Sequence, residues 1–118
     1  MKRDWDVIRE VLSEVETLSA KDSNGLSYNV STDTTSKSEH AILLWKAGFI
    51  EGIDTSGMHR PRLLAQDLTW SGHELLDTIR SQPVWEKIKS TALDKGIDLT
   101  FDSVKMLGSI ALKAILNA

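Results

Sequence analysis

The stretch that decides the fold runs from Ser36 to Arg80: SKSEHAILLWKAGFIEGIDTSGMHRPRLLAQDLTWSGHELLDTIR. His40, Leu43, Leu44 and Ala47 stand at i, i+3, i+4 and i+7, one face of a helix. Ser36 and Glu39 have capping-box spacing: the serine hydroxyl accepts from the glutamate's backbone N–H, and the glutamate reaches back. Gly48 falls where a left-handed residue stops a helix. Phe49, Ile50 and Ile53 suggest a short strand, and Asp54-Thr55-Ser56-Gly57 has loop composition. Arg62 to Leu68 reads as the return strand, with Pro61 at its start, where a missing donor does least harm. Thr69 or Ser71 caps a second helix, Ser71 again with a glutamate three residues on, Glu74. Gly72, Leu75, Leu76 and Ile79 repeat the helical stripe.

Helix, stop, strand, polar loop, strand, helix is the order of the second half of a winged-helix domain. The expected fold is mainly α with a small β-hairpin (α+β). A winged-helix-like domain over residues 1–80 is followed by a C-terminal helical extension over 81–118, packed on the same core. Towards the N-terminus, Asp4 to about Ser19 reads as a helix, with Trp5, Ile8, Leu12 and Val15 near one stripe. Asp4 and Asp6 lie at the end where the helix dipole favours negative charge. Lys21 to Ser38 is polar; Asn24-Gly25 marks a turn, and Leu26, Tyr28 and Val30 alternate like a short strand. A complete winged helix carries another helix in this interval. Here either a single turn around Asp33–Lys37 supplies it or the strand replaces it.

Towards the C-terminus, Pro83 opens a helix that runs to about Leu93 on Val84, Trp85, Ile88 and Ala92. Lys95-Gly96 stops it, Ile97, Leu99 and Phe101 form an extended connection, and Asp102 caps a last helix. That helix carries Val104, Leu107, Ala111, Ala114 and Ile115 on one face, and Gly108 admits a close neighbour. It is apolar enough to need a partner, either the first helix or its own copy in a homodimer.

A hydrophobic fraction of 41 % in 118 residues suits one core. Fourteen Lys and Arg against seventeen Asp and Glu give a net charge of −3. A uniformly basic nucleic-acid binder is thereby excluded, and a local basic patch is not. The absence of cysteine removes disulfides and thiolate metal sites. No run approaches eighteen apolar residues, and MKRDWD has acids where a signal peptide needs an apolar core. The expectation is a cytoplasmic protein with no membrane partner.

No catalytic constellation emerges, so neither an enzyme nor a cofactor is expected. The three histidines lack HExxH or HxH spacing, and the adjacent His73 and Glu74 point about 100° apart on a helix, so no metal site is expected. There is no G-x-S-x-G and no Gly-rich phosphate loop. His40, beside Leu43 and Leu44, is expected to be partly buried and hydrogen-bonded, and with His73 and Asp77 it is the first group to inspect for catalysis. The local basic feature spans Lys37 to Arg62: four basic residues (Lys37, Lys46, Arg60, Arg62) less three acidic ones (Glu39, Glu51, Asp54) leave +1, with His59 beside the arginines. Lys37 and Lys46 on the helix with His59, Arg60 and Arg62 in the wing loop form the candidate DNA-binding set, since wing loops contact phosphate or the minor groove. The bland alternative is that Arg60 and Arg62 are solvated and guard a hairpin edge against aggregation. Of the four tryptophans, Trp5 and Trp85 fit core stripes and Trp70 plugs the base of the wing. Trp45 falls on a polar face and marks a candidate protein contact.

MKRDWDVIREVL at the N-terminus, HAILLWKAGFIEG in the middle and LTWSGHELLDTIRSQPVWEKIK later resemble a small bacterial, phage and prophage family of unknown function. Its usual form is MKRD-hydrophobic-DLIREIL, then H-x-x-LL-x-EAGLI, then LTW-x-GH-(D/E)-FLD-x-IR-x-x-x-VW-x-K. Arg3, Asp4, Trp5, Asp6, His40, Leu43, Leu44, Gly48, Thr69, Trp70, Gly72, His73, Asp77, Arg80 and Trp85 are among the matching positions. Trp45-Lys46 stands where the family often has an acid, and Phe49 replaces Leu. The resemblance implies a winged-helix-like architecture and a phage or prophage context, with no catalytic residue. The functional expectation is a transcription-regulatory protein whose partner is double-stranded DNA. The alternative is an interaction module that binds a host or phage protein.

Overall fold

The computed structural model describes residues 1–18, 25–58 and 60–117. In chain order the elements are α1 (Trp5–Glu16), β1 (Leu26–Asn29), α2 (Lys37–Lys46), β2 (Ile50–Asp54), β3 (Arg62–Leu68), α3 (Trp70–Ile79), α4 (Gln82–Lys95) and α5 (Phe101–Leu116). Among the described residues this is an α+β chain with five helices and one antiparallel sheet in the order β1-β3-β2. The interval between α1 and α2 carries the strand in its described part. Of the expected Asn24-Gly25 turn only Gly25 is described, with φ of 65°.

Two compact units divide the chain, residues 1–73 and residues 74–118. In the first, α1 starts at Asp4, whose extended backbone lets its carboxylate accept from the N–H groups of Asp6 (2.9 Å) and Val7 (3.4 Å). That satisfies two first-turn donors with no intrahelical acceptor. Trp5, Ile8, Val11, Leu12 and Val15 are buried along one stripe, each contributing about 1.5–3 kcal/mol on transfer from water. Tyr28, Ala41, Leu44, Ile50, Leu63, Ala65 and Leu68 complete the buried apolar set of this unit among the described residues.

β3 keeps its core face through a bulge. Glu51 faces Asp67 and Gly52 faces Ala65, so Gln66 is an extra residue on β3. Leu63 and Ala65 are buried, Gln66 and Asp67 are both exposed, and Leu68 is buried again. Without the extra residue, strict alternation would turn Leu68 to the other face. Gly52 sits opposite the bulge, where a Cβ would press to 2.7 Å from the Leu64 carbonyl oxygen.

The N-terminal cap of α2 differs from the expected Ser36–Glu39 box. Ser36 has φ −91° and ψ 9°, not extended, and makes no side-chain cap bond. Asp33 does the work from three residues upstream. One of its oxygens accepts from the Ser38 N–H (2.8 Å), the other from the N–H (2.8 Å) and hydroxyl (2.6 Å) of Thr35. These bonds, the Thr35 hydroxyl first, hold the Asp33 carboxyl well below the usual carboxylate range. The buried face of α2 is also rotated from the expected stripe. Ser38, His40, Ala41 and Leu44 are buried, Leu43 is half-buried and Ala47 is exposed.

The root of the β2–β3 hairpin is tied by Thr69. Its hydroxyl donates to the Gly48 carbonyl (2.6 Å) and accepts from the Gly72 N–H (3.1 Å), and its own N–H donates to the Phe49 carbonyl (3.1 Å). Thr69, not Ser71, is therefore the cap of α3. A Cβ on Gly72 would overlap the Phe49 carbonyl oxygen.

In residues 74–118, Leu75, Leu76, Ile79, Val84, Trp85, Ile88, Ala92, Val104, Leu107 and Ala111 are buried. Pro83 lies in the first turn of α4, which ends at Gly96 with φ of 63°. The α5 cap is Thr100 rather than Asp102: its hydroxyl accepts from the Ser103 N–H (3.1 Å) while Ser103 Oγ accepts from the Thr100 N–H (2.8 Å). Phe101 is thus helical instead of ending an extended connection. The close neighbour admitted by Gly108 is the Thr78 methyl group. Met106, Ile110, Leu112, Ile115 and Leu116 remain exposed on α5. Trp5 and Trp85 are core residues, whereas Trp70, expected at the base of the wing, is 80 % exposed. Among the described residues no helix is long and apolar enough to cross a membrane.

Candidate functional site

A concave groove of about 230 Å³ lies between α2 and the β2–β3 hairpin. α2 supplies Ile42, Trp45 and Lys46 to one wall. Asp54, Ser56, Gly57, Arg60, Pro61 and Arg62 supply the other. The hairpin wall is pinned by local bonds. Asp54 Oδ1 accepts from the Ser56 N–H (2.9 Å), and Ser56 Oγ accepts from the Arg62 N–H (2.9 Å) while donating to the Arg62 carbonyl (3.1 Å). Thr55 N–H reaches the same carbonyl (3.2 Å), and Gly57 and Arg60 exchange two backbone bonds of 3.2 Å. Met58, at the tip, is 89 % exposed.

The groove is cationic in an acidic chain. Lys46, Arg60 and Arg62 against Asp54 leave 3 − 1 = +2. Ser56 and, more weakly, the Lys46 charge hold the Asp54 carboxyl below the usual range. Arg62 Nε is buried and has no hydrogen-bond acceptor among the described residues. Trp45 is half-buried against the groove instead of projecting from a solvated face. An aromatic wall, two guanidinium groups and an ammonium can receive an anion with a planar or apolar neighbour.

The structure brings together Trp45, Lys46, Arg60 and Arg62 from the expected set. His59 lies outside the described residues. Lys37 stands apart: its ammonium binds Glu10 (2.9 Å) and Glu14 (2.5 Å) of α1. Those bonds, that to Glu14 first, push its pKa up. Glu14 also accepts from the Tyr28 hydroxyl (3.0 Å), so one carboxylate joins α1, β1 and α2. Burial and the Glu14 charge drive the Tyr28 hydroxyl far above its ordinary value. Ile42, Asp54, Ser56, Gly57 and Pro61 were not foreseen as wall residues. Asp54 to Gly57 has only a loop signal in sequence, and nothing local says that the loop folds beside α2.

His40 is more enclosed than its sequence setting suggests, at 0 % exposure. Its Nε2 accepts from the Asp4 backbone N–H (2.8 Å), and its Nδ1 lies 2.7 Å from the Ser36 carbonyl. An N–H donor at one nitrogen and a carbonyl at the other set the tautomer, with the proton on Nδ1. His40 is thus a clip between the start of α1 and the start of α2. Of the other two groups singled out for inspection, His73 Nε2 is 3.9 Å from Asp67, and Asp77 pairs with Arg80 (2.9 Å).

An uncharacterized protein of Haemophilus influenzae is 39 % identical over 117 residues, covering 98 % of this chain and 99 % of that relative. No solved structure matches this chain. The family described as "Hypothetical protein (DUF2513)" matches residues 2–98. The chain belongs to that DUF2513 family.

Proposed function

We propose that this chain is a winged-helix DNA-binding protein of the transcription-regulatory kind, acting in the cytoplasm in a phage or prophage setting. The observation that carries the reading is the +2 groove in which α2 and the hairpin contribute Lys46, Arg60 and Arg62 to one surface. In a winged helix the same two elements, recognition helix and wing, meet the duplex. The order α1, β1, α2, β2, β3, with β3 central in the sheet, supports that architecture. On this reading α2 enters the major groove and Arg60 and Arg62 reach backbone phosphates beside it. No step of bond chemistry is involved, in keeping with a non-enzymatic role.

Fluorescence anisotropy with random-sequence duplex DNA tests the proposal. Three phosphate contacts give a slope of log affinity against log salt of about −2.7. The Arg60→Ala/Arg62→Ala double variant is expected to lose at least about tenfold in affinity and to flatten the slope towards about −0.9. Absence of binding at low salt would sink it.

A second reading, a protein-interaction module for a host or phage protein or for a second copy of the chain, is favoured by the exposed apolar side chains Met106, Ile110, Leu112, Ile115 and Leu116 of α5. Analytical ultracentrifugation separates the two. A monomer that binds duplex favours the first, and a self-associating chain indifferent to DNA favours the second.

A further inference from the structure

Contact with a DNA backbone calls for cations on a surface. It does not call for a guanidinium whose Nε is buried with no partner. We infer that the groove is a discrete oxyanion site, gripped by Arg62, whose ligand is a phosphate group, free or esterified. The inference deepens the DNA reading and rests on it only for the source of the phosphate.

Buried N–H groups in folded proteins are nearly always paired, so an orphan points to a missing acceptor. Two acceptors of the hairpin are already engaged. Arg62's own carbonyl takes the Thr55 N–H and the Ser56 hydroxyl, and Asp54 Oδ1 takes the Ser56 N–H. Among the described residues no acceptor reaches Nε, and the proposed acceptor is a ligand in the groove that Arg62 lines. Its charge follows from the surroundings: Lys46, Arg60 and Arg62 line the same cavity, and Asp54 is the one carboxylate of its lining. A doubly negative anion cancels the +2 that remains.

Size narrows the class. A cavity of about 230 Å³ falls below the range of about 300–1,000 Å³ that holds drug-sized ligands. One tetrahedral oxyanion with a few waters fits it. Three cationic groups from two elements suit an acceptor with three or more oxygens better than a carboxylate with two. Arginine matches that acceptor with a planar fork of N–H donors, whereas lysine meets it as a point charge. Because Nε itself is closed to solvent, the ligand meets the part of Arg62 that lines the groove. Trp45 forms the facing wall and reports the event.

The test uses the full chain carrying Trp70→Phe, which removes the exposed tryptophan and leaves half-buried Trp45 as the tryptophan at the groove, Trp5 and Trp85 being buried elsewhere. Inorganic phosphate is titrated while tryptophan fluorescence is followed, with sodium chloride at matched ionic strength in parallel. A saturable change with phosphate and none with chloride is expected. Arg62→Lys is expected to weaken it at least about tenfold, and Arg60→Lys about twofold. Equal responses to the two salts would overturn the site even if an Arg62 variant failed to fold, because that comparison leaves Arg62 intact. Equal phosphate affinity in Arg62→Lys and the parent overturns it as well. A labelled duplex supplies the second arm. Displacement of duplex by phosphate beyond the chloride effect identifies the ligand as a backbone phosphate. Phosphate binding without duplex binding keeps the site, assigns it to a free phosphate ester and removes the DNA reading. Duplex binding without phosphate binding removes the site and leaves the DNA reading standing.

Discussion

Lys37 and Lys46 are the first and last residues of α2, and their surroundings are opposite. Lys37 is neutralised by Glu10 and Glu14, and Glu14 is bonded in turn by buried Tyr28. Lys46 has two arginines across a cavity from it and a single carboxylate already engaged by Ser56. Residues 1–73 hold eight Lys and Arg and eleven Asp and Glu, a balance of 8 − 11 = −3. The groove is therefore a positive spot on a negative unit. Charges at the start of the helix are internally matched and join three elements. Those at its end are left for something else to match. The first arrangement holds a fold, and the second is what a ligand site needs.

That contrast predicts where stability and binding separate. The largest effect belongs to the matched end. His40→Ala leaves a cavity and strands the Asp4 N–H, so urea unfolding is expected to report a loss of about 3 kcal/mol. A change below about 1 kcal/mol would mean that the clip between α1 and α2 is unimportant. Next is Arg60→Ala/Arg62→Ala. Its loss of at least about tenfold in duplex affinity should come with a stability change within about 0.5 kcal/mol. A large drop in melting temperature would break the comparison by making the groove structural.

Tyr28→Phe comes third, with a loss of about 1 kcal/mol at neutral pH from the missing bond to Glu14. Its pH signature is sharper. A hydroxyl raised above its ordinary value of 10.0 keeps its proton in the native state when the unfolded chain releases it. The stability it contributes is whole below pH 10.0 and is lost as pH climbs above it. Alkaline melts should show that limb in the parent and a flatter one in Tyr28→Phe. The smallest effect is Lys37→Gln on binding. Duplex affinity should stay within about twofold of the parent, since this cation is already matched. A loss comparable to that of the arginine pair would return Lys37 to the binding set.

The hairpin was legible because its signals are local. Gly48 stops α2, Pro61 precedes a seven-residue strand that begins and ends where the apolar pattern puts it, and Thr69 follows. Caps were harder. The Ser36–Glu39 and Asp102 readings relied on residue type and spacing. Whether a hydroxyl reaches an N–H depends on the backbone of the capping residue, and Ser36 lacks the extended ψ. Asp33 and Thr100 win because the preceding turn carries them over the open donors. The rotation of the α2 stripe from Leu43 to Ala41 has a packing cause: α2 packs against α1 and against all three strands, so its buried face is wider than one stripe. The basic half of the groove was readable as Lys46, Arg60 and Arg62. Ile42 and Asp54 were not, because what makes them walls is the hairpin lying beside α2, a contact between residues far apart in sequence. Charge alone also gave no means of telling the matched Lys37 from Lys46.

The Thr69 tie at the root of the hairpin has a consequence for how the protein can be altered. β2 starts two residues after Gly48 and β3 ends one residue before Thr69, so the whole excursion between them is closed at its base by bonds that involve neither Ser56 nor Met58. The hairpin is in effect a cassette. Residues inserted at Met58 lengthen a loop whose ends are already held, and each doubling of its length costs only about 0.6 kcal/mol in closure entropy. Reach and chemistry at the tip can therefore be exchanged among variants of this scaffold while the root stays the same.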